Sequence, residues 1–271
     1  MDAAVHPLDA TTALNGSPGA WTAAIDPTWW IFDIPHGGAT TALLVGAAEL
    51  LVPARAVRTV TAALLRPLMS SDGSPAHVSA STVNETKSLS VVEVKAVVEG
   101  KLAATASVML STVRDSTQRR DFSQLPEVQG IEGLVDLGTM PAEFVPRFIR
   151  EHIEVLPFGF MPFAGGDTPE LTAWMRLRQP RPFDARLVTV LLDTLPSAIS
   201  ATVVGVKVAP TVEYSLALDH TAIAAVVPGE WILCRARNWA AGEGWGFEDA
   251  ELWTASGALL GKGRQFRRIP F

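Results

Sequence analysis

The chain has 271 residues, and 22 Lys and Arg against 28 Asp and Glu give a formal net charge of −6 at pH 7. Hydrophobic residues make up 48% and charged residues only 18%, which excludes a disordered chain because apolar burial can offset the entropy of ordering. The acidic balance argues against a nucleic-acid partner, which needs a basic surface. The single cysteine, Cys234, excludes a disulfide framework and a cysteine-based zinc site.

The first long apolar segment covers residues 39–52 and follows His36, Gly37 and Gly38. A membrane helix needs about 20 apolar residues, so this shorter segment predicts a buried helix that ends near Pro53. The N-terminus has neither the basic start nor the apolar core of a secretory signal. We therefore expect a cytoplasmic protein without a membrane span.

Strands are predicted on both sides of this helix and again in the second half of the chain. They cover residues 21–25, 29–32, 58–65, 78–83, 88–98 and 103–112, then 211–218, 232–238, 245–254 and 259–267. Hairpin turns are predicted at Glu99-Gly100 and Ser256-Gly257. A polar segment from about residue 114 to 142 indicates a linker, and a second apolar helix is predicted from the N-cap Asp184 to Pro196.

The two halves of the chain form a weak internal repeat. An offset of 148 places His36 over Asp184 and Val45 over Asp193, and the final hairpins place Val108 over Gln265. The order of strands, helix and strands agrees throughout. The sequence therefore predicts an α+β protein of two similar domains, residues 1–115 and 145–271, joined by a linker at 116–144, in which an antiparallel sheet wraps around each helix. Such a pseudo-dimer would share one site between its halves.

Asp193 is the strongest candidate for a catalytic residue because it lies in the apolar run Leu-Val-Thr-Val-Leu-Leu-Asp. A carboxylate in an apolar helix is costly unless it is bonded or used, and desolvation makes it a better base. The alternative is that Asp193 bonds nearby backbone groups at the helix end. Gly37 and Gly38 offer backbone N–H groups for an oxyanion, or simply make a tight turn. His36 is a candidate base or substrate contact, or else caps the turn.

Other candidate residues carry weaker signals. Thr211 and Gln265 are neutral hydrogen-bonding residues on predicted strands of the same half as Asp193. A local basic cluster is a candidate for phosphate contacts, or else a solvated strand end and loop; it consists of Arg176, Arg178, Arg181 and Arg186. The five histidines are scattered without metal-ligand spacing, so we expect neither a metal nor a cofactor.

Five segments resemble the double-hotdog acyl-CoA thioesterases, the group of bacterial acyl-CoA thioesterase II. These segments are Pro35-His-Gly-Gly-Ala-Thr-Thr-Ala-Leu-Leu, Leu171-Thr-Ala-Trp-Met-Arg-Leu-Arg, Val190-Leu-Leu-Asp, Glu230-Trp-Ile-Leu and Leu252-Trp-Thr-Ala-Ser-Gly-Ala-Leu-Leu-Gly-Lys-Gly-Arg-Gln. The chain departs from the family pattern after Gln265, where Phe-Arg-Arg stands in place of Glu-Gly.

The resemblance implies two tandem hotdog domains and hydrolysis of an acyl-CoA or related thioester without a covalent intermediate. By the same resemblance Asp193 acts as the base, and Gln265 and Thr211 help to hold the water, with Ser215 as a competitor for the role of Thr211. The arginine cluster would contact the CoA phosphates, and the pseudo-dimer would associate further into a homo-oligomer. Two alternatives stay open, a hotdog hydratase or dehydratase that uses His36 and a non-catalytic acyl-thioester-binding protein.

Overall fold

Two capped helices organise the fold in the computed structural model, which describes residues 5–114, 121–205 and 207–269. The helices are α1 (Pro7–Thr11), α2 (Gly37–Leu51), α3 (Arg147–Glu151), α4 (Ala185–Leu191) and α5 (His220–Ala224). The long helix α2 begins where the His36 ring accepts a hydrogen bond from the Ala39 N–H, and α4 begins where the Asp184 carboxylate accepts one from the Leu187 N–H. These equivalent caps stand at the two positions that the repeat aligns.

Fourteen strands are described. They are β1 (Asn15–Ser17), β2 (Ala20–Ala23), β3 (Trp30–Ile31), β4 (Ile34–Pro35), β5 (Ala56–Leu64), β6 (Ala76–Glu85), β7 (Leu89–Val98), β8 (Lys101–Ser111), β9 (Ile153–Phe158), β10 (Glu170–Leu177), β11 (Thr211–Leu218), β12 (Ile232–Gly242), β13 (Trp245–Thr254) and β14 (Leu259–Arg268). Short 3-10 turns lie at Pro27–Trp29, Leu137–Thr139 and Ala198–Thr202. Strands β3 and β4 pair only with each other, and the other twelve strands form one sheet.

The large sheet has the order β1-β2-β6-β7-β8-β5-β11-β14-β13-β12-β10-β9, and all its pairs are antiparallel. Six strands from each half therefore meet at the β5–β11 pair, where Val60 lies opposite Leu216. Strands that are equivalent in the repeat occupy equivalent positions on the two sides of this seam. For example, β8 lies next to β5, and its equivalent β14 lies next to β11. Helices α2 and α4 pack against each other, and α2 also packs against β5, β6, β7 and β8 and α4 against β11. The predicted α+β pseudo-dimer is confirmed.

Two predicted elements are wrong in detail. The strand predicted at residues 29–32 is instead a 3-10 turn that ends at Trp29, followed by the two-residue strand β3. Helix α4 ends at Leu191 rather than near Pro196, because the Asp193 N–H donates to the Val190 carbonyl three residues back and tightens the chain into a turn. Asp193 therefore lies just beyond the helix and not within it.

The linker lies against the second half of the molecule. Leu125, Val128 and Leu134 pack on a cluster that includes Trp174 and Trp253. Residues 115–120, which contain the predicted end of the first domain, lie outside the described residues, and the domain limits stay a prediction. In the part of the chain that the structure describes, no helix has the length and apolar character needed to cross a membrane.

Candidate active site

The carboxylate of Asp193 lies where the two halves of the molecule meet. Its Oδ2 accepts a hydrogen bond of 2.6 Å from the backbone N–H of Gly38, at the start of α2 in the first half. Its Oδ1 accepts one of 2.9 Å from Nη2 of Arg267 on β14 in the second half. The residue is only 5% exposed, so these bonds supply what solvent does not.

Gly37 and Gly38 permit this approach because they have no side chains. A Cβ at Gly38 would lie 2.8 Å from Cε1 of His36, which is closer than real Cβ contacts, and a tight 3.0 Å from the Cβ of Asp193 and 3.2 Å from the Cα of Val190. A Cβ at Gly37 would lie 3.0 Å from Oδ2 of Asp193. The oxyanion role predicted for Gly38 does not fit this geometry, because its N–H already donates to Asp193.

His36 is a structural cap whose two ring nitrogens are both engaged. Its Nδ1 accepts from the Ala39 N–H at 3.2 Å, which places the ring proton on Nε2. Nε2 then donates to the backbone carbonyl of Asp193 at 2.8 Å and lies 3.3 Å from Oδ2 of the same residue. The ring is fully buried and stacks on Phe148. The predicted substrate contact is therefore replaced by a contact that fixes Asp193.

Thr211 and Gln265 lie together on β11 and β14, where the Thr211 hydroxyl donates to Oε1 of Gln265 at 2.6 Å. A bulge in β11 shifts the pairing between Thr211 and Glu213, so that Thr211 lies opposite Arg267 and shares its face of the sheet. Ser215 has no such placement, and its hydroxyl donates to Glu213 at 3.2 Å. The pair lies near Asp193, since a Cβ at Gly37 would lie within 4 Å of both Oδ2 of Asp193 and Cβ of Thr211.

Arg267 and Glu248 complete the site, and the sequence did not identify either as a site residue. Nε of Arg267 pairs with Oε1 of Glu248, and Nη1 of Arg267 donates to the Ala209 carbonyl. Burial alone would lower the pKa of the Arg267 guanidinium, but the carboxylates of Glu248 and Asp193 raise the pKa above its ordinary value. Strand alternation was the available signal, because Arg267 shares the buried face of β14 with Gln265.

The four arginines of the basic cluster do not form one phosphate site. Arg176 pairs with Glu154, and Arg178 pairs with Asp136. Arg181 and Arg186 both pair with Asp9 and Asp184, and Arg186 also lies 3.6 Å from Glu49. Each guanidinium therefore already has a carboxylate partner, and this pairing does not fit the phosphate contacts predicted for the cluster.

A cavity of about 210 Å³ is lined in part by Asp193 and Arg267. Its walls are mostly apolar and include Ile31, Leu137, Met140, Phe144, Met161 and Phe163. Oδ1 of Asp193 points toward Arg267, which lines the cavity, whereas Oδ2 lies on the side of Gly37 and Thr211. Asp193 therefore lines the apolar cavity and also lies near the Thr211–Gln265 pair. Among the described residues, no group of three or more His, Cys, Asp or Glu side chains could hold a metal ion.

Comparison with sequence families matches both halves of the chain. Residues 26–111 match the family described as acyl-CoA thioesterase N-terminal domain, and residues 124–267 match the family described as acyl-CoA thioesterase C-terminal domain. No curated protein matches the chain significantly.

Solved structures of similar fold cover nearly the whole chain. A hot dog fold protein of Alicyclobacillus acidocaldarius is 20% identical, with a TM-score of 0.86 over 98% of this chain and 99% of that one. The tesB protein of Mycobacterium avium subs paratuberculosis is 17% identical, with a TM-score of 0.76 over 97% and 98%. The acyl-CoA thioesterase II TesB2 of Mycobacterium marinum is 18% identical, with a TM-score of 0.72 over 97% and 98%. At these identities the likeness shows the fold, and the predicted tandem hotdog architecture is confirmed.

Proposed function

The chain belongs to the acyl-CoA thioesterase family, and from this premise we propose that it hydrolyses an acyl-CoA, or a related acyl thioester, with a water activated by Asp193. The observation that carries the proposal is that a buried carboxylate, Asp193, lines an apolar cavity and lies near a hydroxyl–amide pair. The cavity suits an acyl chain, and the pair suits a water beside the carboxylate.

The reaction needs only one base and one water. We propose that the water lies between Asp193 and the Thr211–Gln265 pair, and that Asp193 takes its proton as the oxygen attacks the thioester carbonyl. The tetrahedral intermediate then collapses, the C–S bond breaks, and the leaving thiolate takes the proton from Asp193. The products are a free acid and a thiol, and no bond to the protein forms.

The apolar walls of the cavity favour an acyl group with a hydrocarbon chain, because contact with these walls removes the apolar surface of the chain from water. We expect thiol release from hexanoyl-CoA to be faster than from acetyl-CoA, whose acyl group has almost no chain to bury.

The experiment is a thiol-release panel over short, medium, long and branched acyl-CoAs, with Asp193→Asn as the test variant. We expect the variant to lose about 100-fold or more of kcat, because general-base catalysis contributes 10²–10⁴-fold. Asp249→Asn is the matched control, since Asp249 pairs with Lys262 away from the cavity. The proposal fails if the wild-type protein releases no thiol from any thioester, or if Asp193→Asn turns over normally.

A hydratase is the second candidate because His36 and Asp193 face each other across the two halves, with Nε2 and Oδ2 3.3 Å apart. Both ring nitrogens of His36 are already bonded, however, and neither is free to take a proton from water. We therefore expect crotonyl-CoA to keep its enoyl absorbance in the presence of the protein. Hydration that is lost in His36→Ala but kept in Asp193→Asn would support the hydratase instead, and tight binding without thiol release would support a non-catalytic binder.

A further inference from the structure

We propose that Arg267 is the positioning residue of this site, which fixes the orientation of the Asp193 carboxylate. The inference rests on the proposed function, because it assigns a role that acts through the base. Arg267 stands where the chain departs from the family pattern, two residues after Gln265. Thr211 lies opposite Arg267 in the sheet, and the side-chain hydrogen bonds of Arg267 run to Asp193, Glu248 and Ala209.

All three nitrogen atoms of the Arg267 guanidinium have a hydrogen-bond partner. Nη2 donates to Oδ1 of Asp193 at 2.9 Å, Nη1 donates to the Ala209 carbonyl at 3.1 Å, and Nε pairs with Glu248. The Arg267 side chain is 8% exposed, and those of Asp193 and Glu248 are 4% and 3% exposed. A planar guanidinium bonded in three directions has little freedom to rotate, so it fixes the carboxylate that it contacts.

Glu248 fixes the position of Arg267 through its contact with Nε of the guanidinium. Its Oε2 accepts from the Ser197 hydroxyl at 2.7 Å and from the Ala198 N–H at 2.8 Å. These donors belong to the segment that follows Asp193 in the chain. The hydrogen bonds therefore run from Asp193 through Arg267 and Glu248 back to the segment next to Asp193. Both oxygens of the Glu248 carboxylate are thereby hydrogen-bonded, and Arg267 cannot turn away from Glu248 without removing the donor to Oε1.

Several other titratable groups face Asp193, and they do not replace Arg267. His36 approaches from the start of α2, but its proton is shared with a backbone carbonyl. Burial, with a further contribution from Asp193, raises the pKa of Tyr214 on β11, and burial with Glu248 nearby raises the pKa of Cys234 on β12. Both side chains stay protonated at neutral pH. Lys207 lines the same cavity, whereas Arg267 donates directly to the carboxylate.

Loss of the guanidinium would leave two buried carboxylates without their cation. Oδ1 of Asp193 and Oε1 of Glu248 would each lose the charge-assisted hydrogen bond that Arg267 donates. The Asp193 carboxylate could then rotate away from the direction in which it accepts a proton from water. Arg267 therefore fixes the direction of the base.

The experiment compares kcat and KM separately for Arg267→Gln, Arg267→Lys and the wild type. We expect Arg267→Gln to lose about 100-fold of kcat with a KM within about twofold of the wild type, because the base loses its fixed direction while the apolar walls of the cavity are unchanged. Arg267→Lys keeps the charge but cannot reproduce the three bonded nitrogens, so we expect it to lose less, about tenfold of kcat. Arg268→Gln is the control, because Arg268 is exposed on the opposite face of β14.

The outcomes separate this inference from the function on which it rests. A wild-type protein without thioesterase activity overturns the proposed function. An active wild type and an inactive Asp193→Asn, with an Arg267→Gln variant that keeps the wild-type kcat or changes only KM, overturn the role of Arg267 alone. If Arg267→Gln does not fold, Arg267→Lys decides the question, and a wild-type kcat in that variant contradicts the inference.

Discussion

Thr211 and Ser215 lie on the same strand, and the β11 bulge separates their roles. Thr211 faces the site and donates to Gln265, whereas Ser215 bonds Glu213 on the other face. We expect Thr211→Val to lower kcat about tenfold, because the water and the Gln265 amide lose a hydrogen-bond partner while the side-chain shape is kept. Thiol release by purified variants measures the effect.

Ser215→Ala is the matched control for Thr211→Val, and we expect it to keep the wild-type rate. The reverse result, in which Ser215→Ala is impaired and Thr211→Val is not, would assign the role of holding the water to Ser215 instead of Thr211.

The sequence predicts part of the site at the scale of single residues. Asp193 stands out because a carboxylate is conspicuous in an apolar run, and the repeat and the resemblance add Gln265 and Thr211. The bulge that turns Thr211 inward has no clear sequence signal, because the strand looks regular through Val212. Arg267 and Glu248 were missed for a related reason, since their contact depends on the register between β13 and β14.

The two helices approach closely at Gly38, and this contact supports a prediction at the scale of elements. A Cβ at Gly38 would lie 2.8 Å from Cε1 of His36 and 3.2 Å from the Val190 backbone. Gly38→Ala must push α2 away from the Asp193 turn, and we expect a loss of about 1–3 kcal/mol in the free energy of unfolding. We expect a fall in kcat as well, because the Gly38 N–H moves away from Asp193.

Gly46→Ala is the control on the same helix. A Cβ at Gly46 would make only an ordinary contact of 3.4 Å with the flexible Arg186 side chain. Alanine favours a helix interior over glycine by about 1 kcal/mol, so we expect Gly46→Ala to unfold at an equal or higher denaturant concentration. Chemical denaturation of both variants checks the pair, and a Gly38→Ala protein as stable as Gly46→Ala would contradict the packing described.

Most elements were predictable because their hydrophobic patterns are strong. Strands β11 and β13 have the predicted limits, and α2 ends two residues before Pro53 as expected. The strands β9 and β10 were not predicted. Pro157 interrupts the pattern of β9, and the structure tolerates it because β9 is the edge strand. Helix α4 is shorter than predicted because the apolar run continues into a turn, and hydrophobicity alone does not mark where a helix ends.

At the scale of the whole molecule, α1 joins the ends of the two central helices through a network of charges. Arg181 contacts Asp9 on α1 and Asp184 at the start of α4, and Arg186 reaches Glu49 near the end of α2. Burial raises the pKa of Glu49 to about 7, and Asp184 adds to the rise while Arg186 opposes it. The native state therefore takes up a proton at Glu49 where the unfolded chain, with its ordinary pKa of 4.5, has already lost it.

This shift predicts how stability depends on pH. The contribution of Glu49 is fully present below its unfolded pKa and is lost as pH rises through about 7. We expect Glu49→Gln to match the wild type in Tm at about pH 5 and to exceed it at about pH 8.5, because the variant has no charge to bury. Glu93→Gln, on the exposed face of β7, should show no such difference. A Glu49→Gln protein that is less stable than the wild type at the higher pH would show that the pairing with Arg186 dominates.

The pseudo-dimer as a whole follows from the repeat, since equal strand orders on the two sides of β5–β11 place equivalent residues symmetrically. The repeat does not show which half contributes which group to the site. The first half contributes the Gly38 N–H and the His36 cap, and the second half contributes the carboxylate, so only the assembled structure shows which group bonds which. Further association of this pseudo-dimer stays a prediction, which sedimentation can test.

The central claim is that Asp193 activates water for the hydrolysis of an acyl thioester. The most direct measurement mixes hexanoyl-CoA rapidly with the wild-type protein and with Asp193→Asn, and follows released thiol and free hexanoate together. We predict that the wild type forms thiol and hexanoate in equal amounts from the first turnover onward, and that the variant forms both at least about 100-fold more slowly. A thiol burst equal to the protein concentration before hexanoate appears, or an Asp193→Asn protein as fast as the wild type, would contradict the account.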